Sequence, residues 1–156
     1  MMNLKEQMLY DQAKDEARIM GNDYIGSEHI LLALLHANQT RLAKELSAQG
    51  IYYFQVRDDI GILFGLRDKK NQGSQVTAVA ASLFEQCNQR YAQKRDISYE
   101  ECMGETLLDH PASVAMELLR RYNVAFDRLK EKRQSSGIAA LDEITALHCM
   151  NFDPPR

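Results

Sequence analysis

Ser27, Glu28 and His29 stand side by side in the stretch "YIGSEHILLALL", directly ahead of an almost unbroken aliphatic run. A hydroxyl, a carboxylate and an imidazole in that position could serve a catalytic site, a metal site, a docking site for a charged ligand, or the start of a buried helix. With Ser27 as N-cap, Glu28 falls in the first helical turn, where the helix dipole stabilises a negative charge by a few tenths to about 1 kcal/mol. Helix initiation alone therefore accounts for the carboxylate. A functional reading adds a ligand of both signs, whose cation meets Glu28 and whose anion meets the unpaired N–H groups of the same turn. That reading expects the acidic helix mouth to be open to solvent.

Other chemistries find less support. Gly21 to Ser27, "GNDYIGS", approaches a phosphate loop but lacks the lysine that would reach the phosphates, and a helix rather than a strand precedes it. His29 and His36 lie seven residues apart, two turns along one helix, with no Cys/His pair spaced to complete a metal site; they read as helix-start and helix-end histidines. His148, Cys149 and Asp153 are read the same way. Neither a G-x-S-x-G elbow nor an H-E-x-x-H helix occurs, so the chain is expected to be non-catalytic, with no metal and no cofactor of its own.

The elements that must position Glu28 are helices. Leu9, Ala13, Ala17 and Met20 form one apolar stripe, ended by Gly21-Asn22. Further helices are predicted from Ser27 to about His36, from Gln39 to Ala48, and around Val56, Ile60 and Leu63. "DKKNQGS" then reads as a linker. Beyond it come the amphipathic "VAASLFEQCNQRY", the turn "KRDIS", the short helix "YEECMGETLLDH", a helix ending at Asn123, and a last one from about Ala125 to Lys132. The same order of events thus occurs twice, at an offset of 72 to 74 residues that sets Leu9 opposite Leu83, Ile25 opposite Ile97, and Ala43 opposite Ala115. One unit of that size buries little apolar surface alone.

The expectation is an all-α, eight-helix bundle of two four-helix repeats related by a pseudo-two-fold axis. The repeats occupy residues 1–67 and 76–133, with 68–75 as linker and 134–156 as a flexible tail. Leu31, Leu34, Leu35, Leu42, Leu46, Leu107, Leu118 and Leu119 are predicted core residues.

With a net charge of -3 and basic residues interleaved with acids, the chain lacks the concentrated basic face that nucleic acid requires. Its apolar runs are shorter than the roughly 20 residues a bilayer demands, and its N-terminus is amphipathic rather than a signal peptide. Neither a nucleic-acid nor a membrane partner is expected. Cys87, Cys102 and Cys149 are odd in number and lack CxxC spacing, which suits a reducing, cytoplasmic location where free cysteines pack as small hydrophobes.

The A-x-x-x-A helix, the glycine turn, the "IGSEHILLALL" block and the following "LAKEL" helix, with "LLDHPASVAMELL" in the second half, resemble the Clp N-terminal domain. That domain heads the Clp AAA+ unfoldases, and the likeness is greatest to the ClpC type. It covers about residues 1–133. The tail "LDEITALHCMNFDPPR" is similar to the lead-in toward the first ATPase module, with Phe152-Asp153-Pro154 in place of the family's L-D-P. Either the chain is the first piece of a longer unfoldase or it is a degenerate stand-alone copy.

The resemblance implies recruitment of protein substrates and adaptor proteins for ATP-driven unfolding and delivery to a Clp peptidase. ATP and Mg would belong to the ATPase modules of a longer protein. In the ClpC type, the Glu of each E-H motif receives the guanidinium of phosphoarginine, a degradation mark. That role maps onto Glu28, beside Ser27. The second half has no E-H pair: counting from Pro111 selects Glu101, with Cys102 in place of histidine, and counting from Ile97 selects Glu100. Gly104 and Glu105 also interrupt its aliphatic run. A stand-alone adaptor-binding module without a phosphoarginine pocket is the alternative.

Overall fold

The structure is a computed structural model that describes residues 3–64, 75–93, 96–126 and 129. Its chain divides into a unit from Met1 to Val124 and a second from Ala125 to Arg156.

Helix α1 (Leu4–Met20) starts on a capping box, in which the Asn3 side chain accepts from the Glu6 N–H at 2.7 Å and the Glu6 carboxylate accepts from the Asn3 N–H. It stops at Gly21, whose left-handed φ of 71° lets the N–H of Asn22 turn back onto the Ala17 carbonyl. Leu9, Ala13, Ala17 and Met20 are buried, as their spacing predicts. Alanines in that stripe hold α1 close to α2 (Ser27–Ala37). Every residue of α2 from Ser27 to Leu35 is buried. Its leucine run reads as unbroken because α2 lies in the middle, packed against α1, α4, α5, α6 and α7.

Around it lie α3 (Arg41–Ala48), α4 (Tyr53–Phe64), α5 (Ala78–Gln93), α6 (Tyr99–Leu108) and α7 (Val114–Arg121). Hydroxyls of Thr40, Ser98 and Ser113 cap α3, α6 and α7, each accepting from the N–H three residues on. The eight predicted core leucines are all buried. Gly104 of α6 packs against Leu42 of α3. Cys87 and Cys102 are buried free thiols, and burial pushes the Cys87 thiol up to about 12.

The fold is all-α, with seven helices among the described residues. Most of the predicted eighth helix from about Ala125 to Lys132, most of the linker 68–75 and the tail 134–156 lie outside the described residues. Gln75, placed in that linker by the sequence reading, pairs instead with Tyr24. Two strands of two residues, β1 (Tyr24–Ile25) and β2 (Gln75–Val76), form a parallel bridge that joins the start of α2 to the start of α5. Among the described residues no helix is long and apolar enough to cross a membrane.

Candidate functional site

Gly26, not Ser27, is the N-cap of α2. A glycine has no side chain to accept from the first-turn N–H groups, so only the return bond of a capping box is made: His29 Nδ1 accepts from the Gly26 N–H at 2.9 Å. With Nδ1 accepting, the proton sits on Nε2, which donates to Asn22 Oδ1 at 2.7 Å. Burial lowers the pKa of His29, and the charge of Glu28 only partly opposes it. The imidazole is a neutral brace across the turn from Asn22 to Gly26.

Ser27, freed from capping its own helix, serves another. Its hydroxyl accepts from the Ala115 N–H at 3.0 Å, in the first turn of α7. Glu101 does the converse in the other half: its Oε2 accepts from the Arg41 N–H at 2.9 Å, where α3 begins. Each of these acceptors completes a helix start 88 and 60 residues away along the chain.

Glu28 is 2% exposed, which corrects the expectation of an open acidic mouth. Its Oε2 accepts from the Tyr24 hydroxyl at 2.7 Å, and the Tyr24 ring stands edge-on to His29 at 5.2 Å. Its Oε1 lies over Gly26, so close that a Cβ there would sit 2.5 Å away. Gly26 has φ −115°, open to any residue, so a side chain there would meet the Glu28 carboxylate and the Tyr24 ring rather than backbone strain. The physical reason for the burial is the bridge of β1 to β2, which lays Tyr24 across the carboxylate.

Buried as it is, Glu28 borders a cavity of about 300 Å³. Tyr24, Gly26 and Glu28 form one side, and Thr77, Val79 and Val114 form the other. Glu28 is the one charged residue among the described residues that line it. Two helices open onto this space: Gly26 to Glu28 begin α2, and Ala112 and Val114 flank Ser113, the N-cap of α7. The cavity thus combines one buried carboxylate with two positive helix ends, the Ala115 and Met116 N–H groups of α7 being already taken by Ser27 and Ser113.

The second-half positions separate. Counted from their N-caps, Gly26 and Ser98, Glu100 corresponds to Glu28 and Glu101 to His29. Glu100 is half-buried, while Glu101 is engaged on the Arg41 N–H. The structure thus brings Ser27 and Glu28 together at the cavity and leaves Glu100 and Glu101 at a different helix start.

His36 does not join His29. Its Nδ1 meets Glu16 Oε2 at 3.0 Å, and its ring stacks on Tyr53 at 4.4 Å. The Tyr53 hydroxyl donates to the other oxygen of buried Glu16 at 2.6 Å, and burial with this bond raises the Tyr53 pKa to about 12. A second cavity of about 580 Å³ opens beside this cluster, between α1 and α2. His148, Cys149 and Asp153 lie outside the described residues. Sequence reasoning missed Tyr24 and Asn22 as parts of the site; the signal for Tyr24 was its spacing of four residues from Glu28.

The sequence profile of the family described as the Clp repeat (R) N-terminal domain matches residues 1–102 of this chain. The chain belongs to that family. Over 122 residues it is also 26% identical to the chaperone protein ClpB of Oceanobacillus iheyensis, an alignment that covers 77% of this chain. The same alignment covers 15% of that chaperone, so the chain spans a small part of its relative's length. The Clp repeat match ends at residue 102, just past Glu100 and Glu101, and contains the whole α2 start.

Proposed function

We propose that this Clp repeat domain is the substrate- and adaptor-recognition module of a ClpC-like ATP-dependent unfoldase, and that it captures phosphoarginine-marked proteins at Glu28. The chain itself does no chemistry in this reading; ATP and Mg act in ATPase modules elsewhere in the protein, in the cytoplasm, with a Clp peptidase downstream. What carries the reading is one observation: a buried carboxylate and two helix N-termini border the same cavity. Phosphoarginine bears both signs within a few bonds. Its guanidinium matches the carboxylate as a forked, charge-assisted pair, and its phosphoryl group matches first-turn N–H groups. Ser27 acts by holding α7 against α2, so that the second helix end stays in place.

Glu100 and Glu101 are weaker candidates for a second pocket, since Glu101 already serves Arg41. The near-complete burial of Glu28 favours a second reading, a module that docks adaptors only and has no phosphoarginine pocket. Calorimetric titration of free phosphoarginine against the wild type and Glu28→Gln separates the two. Saturable heat in the wild type that disappears in Glu28→Gln is expected; no heat in the wild type leaves adaptor docking.

A further inference from the structure

We infer that the Glu28 pocket reads the guanidinium of its ligand and not the phosphoryl group, so that an unmodified arginine side chain on a partner protein occupies it as well as a phosphorylated one. The inference rests on the reading of Glu28 as the ligand's carboxylate and concerns which end of the ligand holds it there. The two oxygens of Glu28 are not alike. Oε2 accepts from the Tyr24 hydroxyl at 2.7 Å, whereas no hydrogen bond reaches Oε1 from any described residue. In a side chain 2% exposed, that oxygen is short of a donor. It lies against Gly26, which lines the same cavity. A guanidinium N–H from the cavity completes Oε1 while Tyr24 keeps Oε2, so the two donors share the carboxylate and neither has to leave.

The walls suit the remainder of an arginine. Val79, Ala112, Val114 and the Tyr24 ring line the cavity with apolar surface, on which the methylenes of the stem pack while the charged head reaches Glu28. The phosphoryl end is met less well. Three helices begin beside the cavity, α2 at Gly26, α5 after Thr77 and α7 after Ser113. In the first turns of α5 and α7, N–H groups are already bonded to hydroxyls of the chain: Ala80 to Thr77 at 3.1 Å, Ala115 to Ser27 at 3.0 Å and Met116 to Ser113 at 3.2 Å. A phosphoryl group competes with those hydroxyls or draws on the weaker pull of the helix dipoles. The charge of Glu28 attracts the guanidinium and repels the phosphoryl group. An adaptor that presents an exposed arginine therefore docks in the pocket that a marked substrate uses, and the two exclude each other.

The experiment uses the 156-residue chain and three probes. They are phosphoarginine, N-acetyl-arginine methylamide, and N-acetyl-citrulline methylamide, which keeps the shape of the arginine probe without its charge. Each is titrated by calorimetry into the wild type and Glu28→Gln. The arginine probe is expected to bind within about tenfold of phosphoarginine and to compete with it, both being lost in Glu28→Gln, while the citrulline probe gives no saturable heat. An arginine probe more than about tenfold weaker, alongside phosphoarginine binding that Glu28→Gln removes, overturns the inference and leaves the pocket reading standing. Arginine binding that survives in Glu28→Gln, or that the citrulline probe equals, also overturns it. Absence of heat with every probe overturns both. The citrulline comparison is made on the wild type and holds even where Glu28→Gln fails to fold.

Discussion

The starts of α2 and α6 answer the same need in opposite ways. At α6 the N-cap is Ser98, whose hydroxyl takes the Glu101 N–H, so the helix begins with its own resources. Its acidic side chain is then spent on the packing between halves, where Glu101 takes the Arg41 N–H. At α2 the N-cap is a glycine, which caps nothing with a side chain, and His29 holds the turn by accepting from the Gly26 N–H. The space left by the missing Cβ is what Glu28 fills. Glycine at the cap costs local stability and yields a pocket bordered by a carboxylate; serine at the cap yields a stable helix start whose third residue is engaged in packing. A carboxylate at a cavity in one half and a carboxylate engaged in packing in the other thus follow from the residue at a single cap.

Four measurements would break or sharpen that contrast. The largest effect is expected on binding: Glu28→Gln should weaken phosphoarginine about a hundredfold, since it breaks a buried charge pair, while Glu100→Gln leaves the titration unchanged. Equal losses in the two variants would erase the asymmetry. Next, Ser27→Ala removes the acceptor of the Ala115 N–H inside the core and should cost about 1–3 kcal/mol in chemical denaturation. Glu101→Ala should cost about 1 kcal/mol, because the Arg41 N–H it caps is only partly buried, and phosphoarginine binding should survive.

The smallest effect is a pH dependence centred on His29. Below pH 6.5 the unfolded chain takes up a proton at this residue that the folded chain refuses. Stability should therefore fall as pH drops from 6.5 toward the lowered folded value, with a slope of at most about 1.4 kcal/mol per pH unit, and it should return as pH rises. Urea titrations across that window in the wild type and His29→Asn, which does not titrate there, isolate the contribution.

Much of this architecture was legible before any coordinates. The stripe Leu9, Ala13, Ala17, Met20 and the leucines of α2 are local, periodic signals, and burial follows them. Glu28 was legible as a carboxylate in a first turn for the same reason. What escaped were decisions that depend on one residue of register or on long separations. Ser27 and Gly26 are both acceptable caps, and only the turn from Gly21 to Ile25 decides between them. Tyr24 covers Glu28 because β1 pairs with Gln75 and Val76, some fifty residues on. Glu101 could not be separated from Glu100 by counting along the chain, since its partner Arg41 lies 60 residues away.

The exchange of acceptors between Ser27 and Ala115, and between Glu101 and Arg41, makes the two halves unequal to the task of existing apart. Each leaves a helix with an unfinished first turn when its counterpart is gone. Heat, denaturant or mechanical pulling should therefore melt both in a single step. Polypeptides made separately from the two halves should remain poorly helical until mixed.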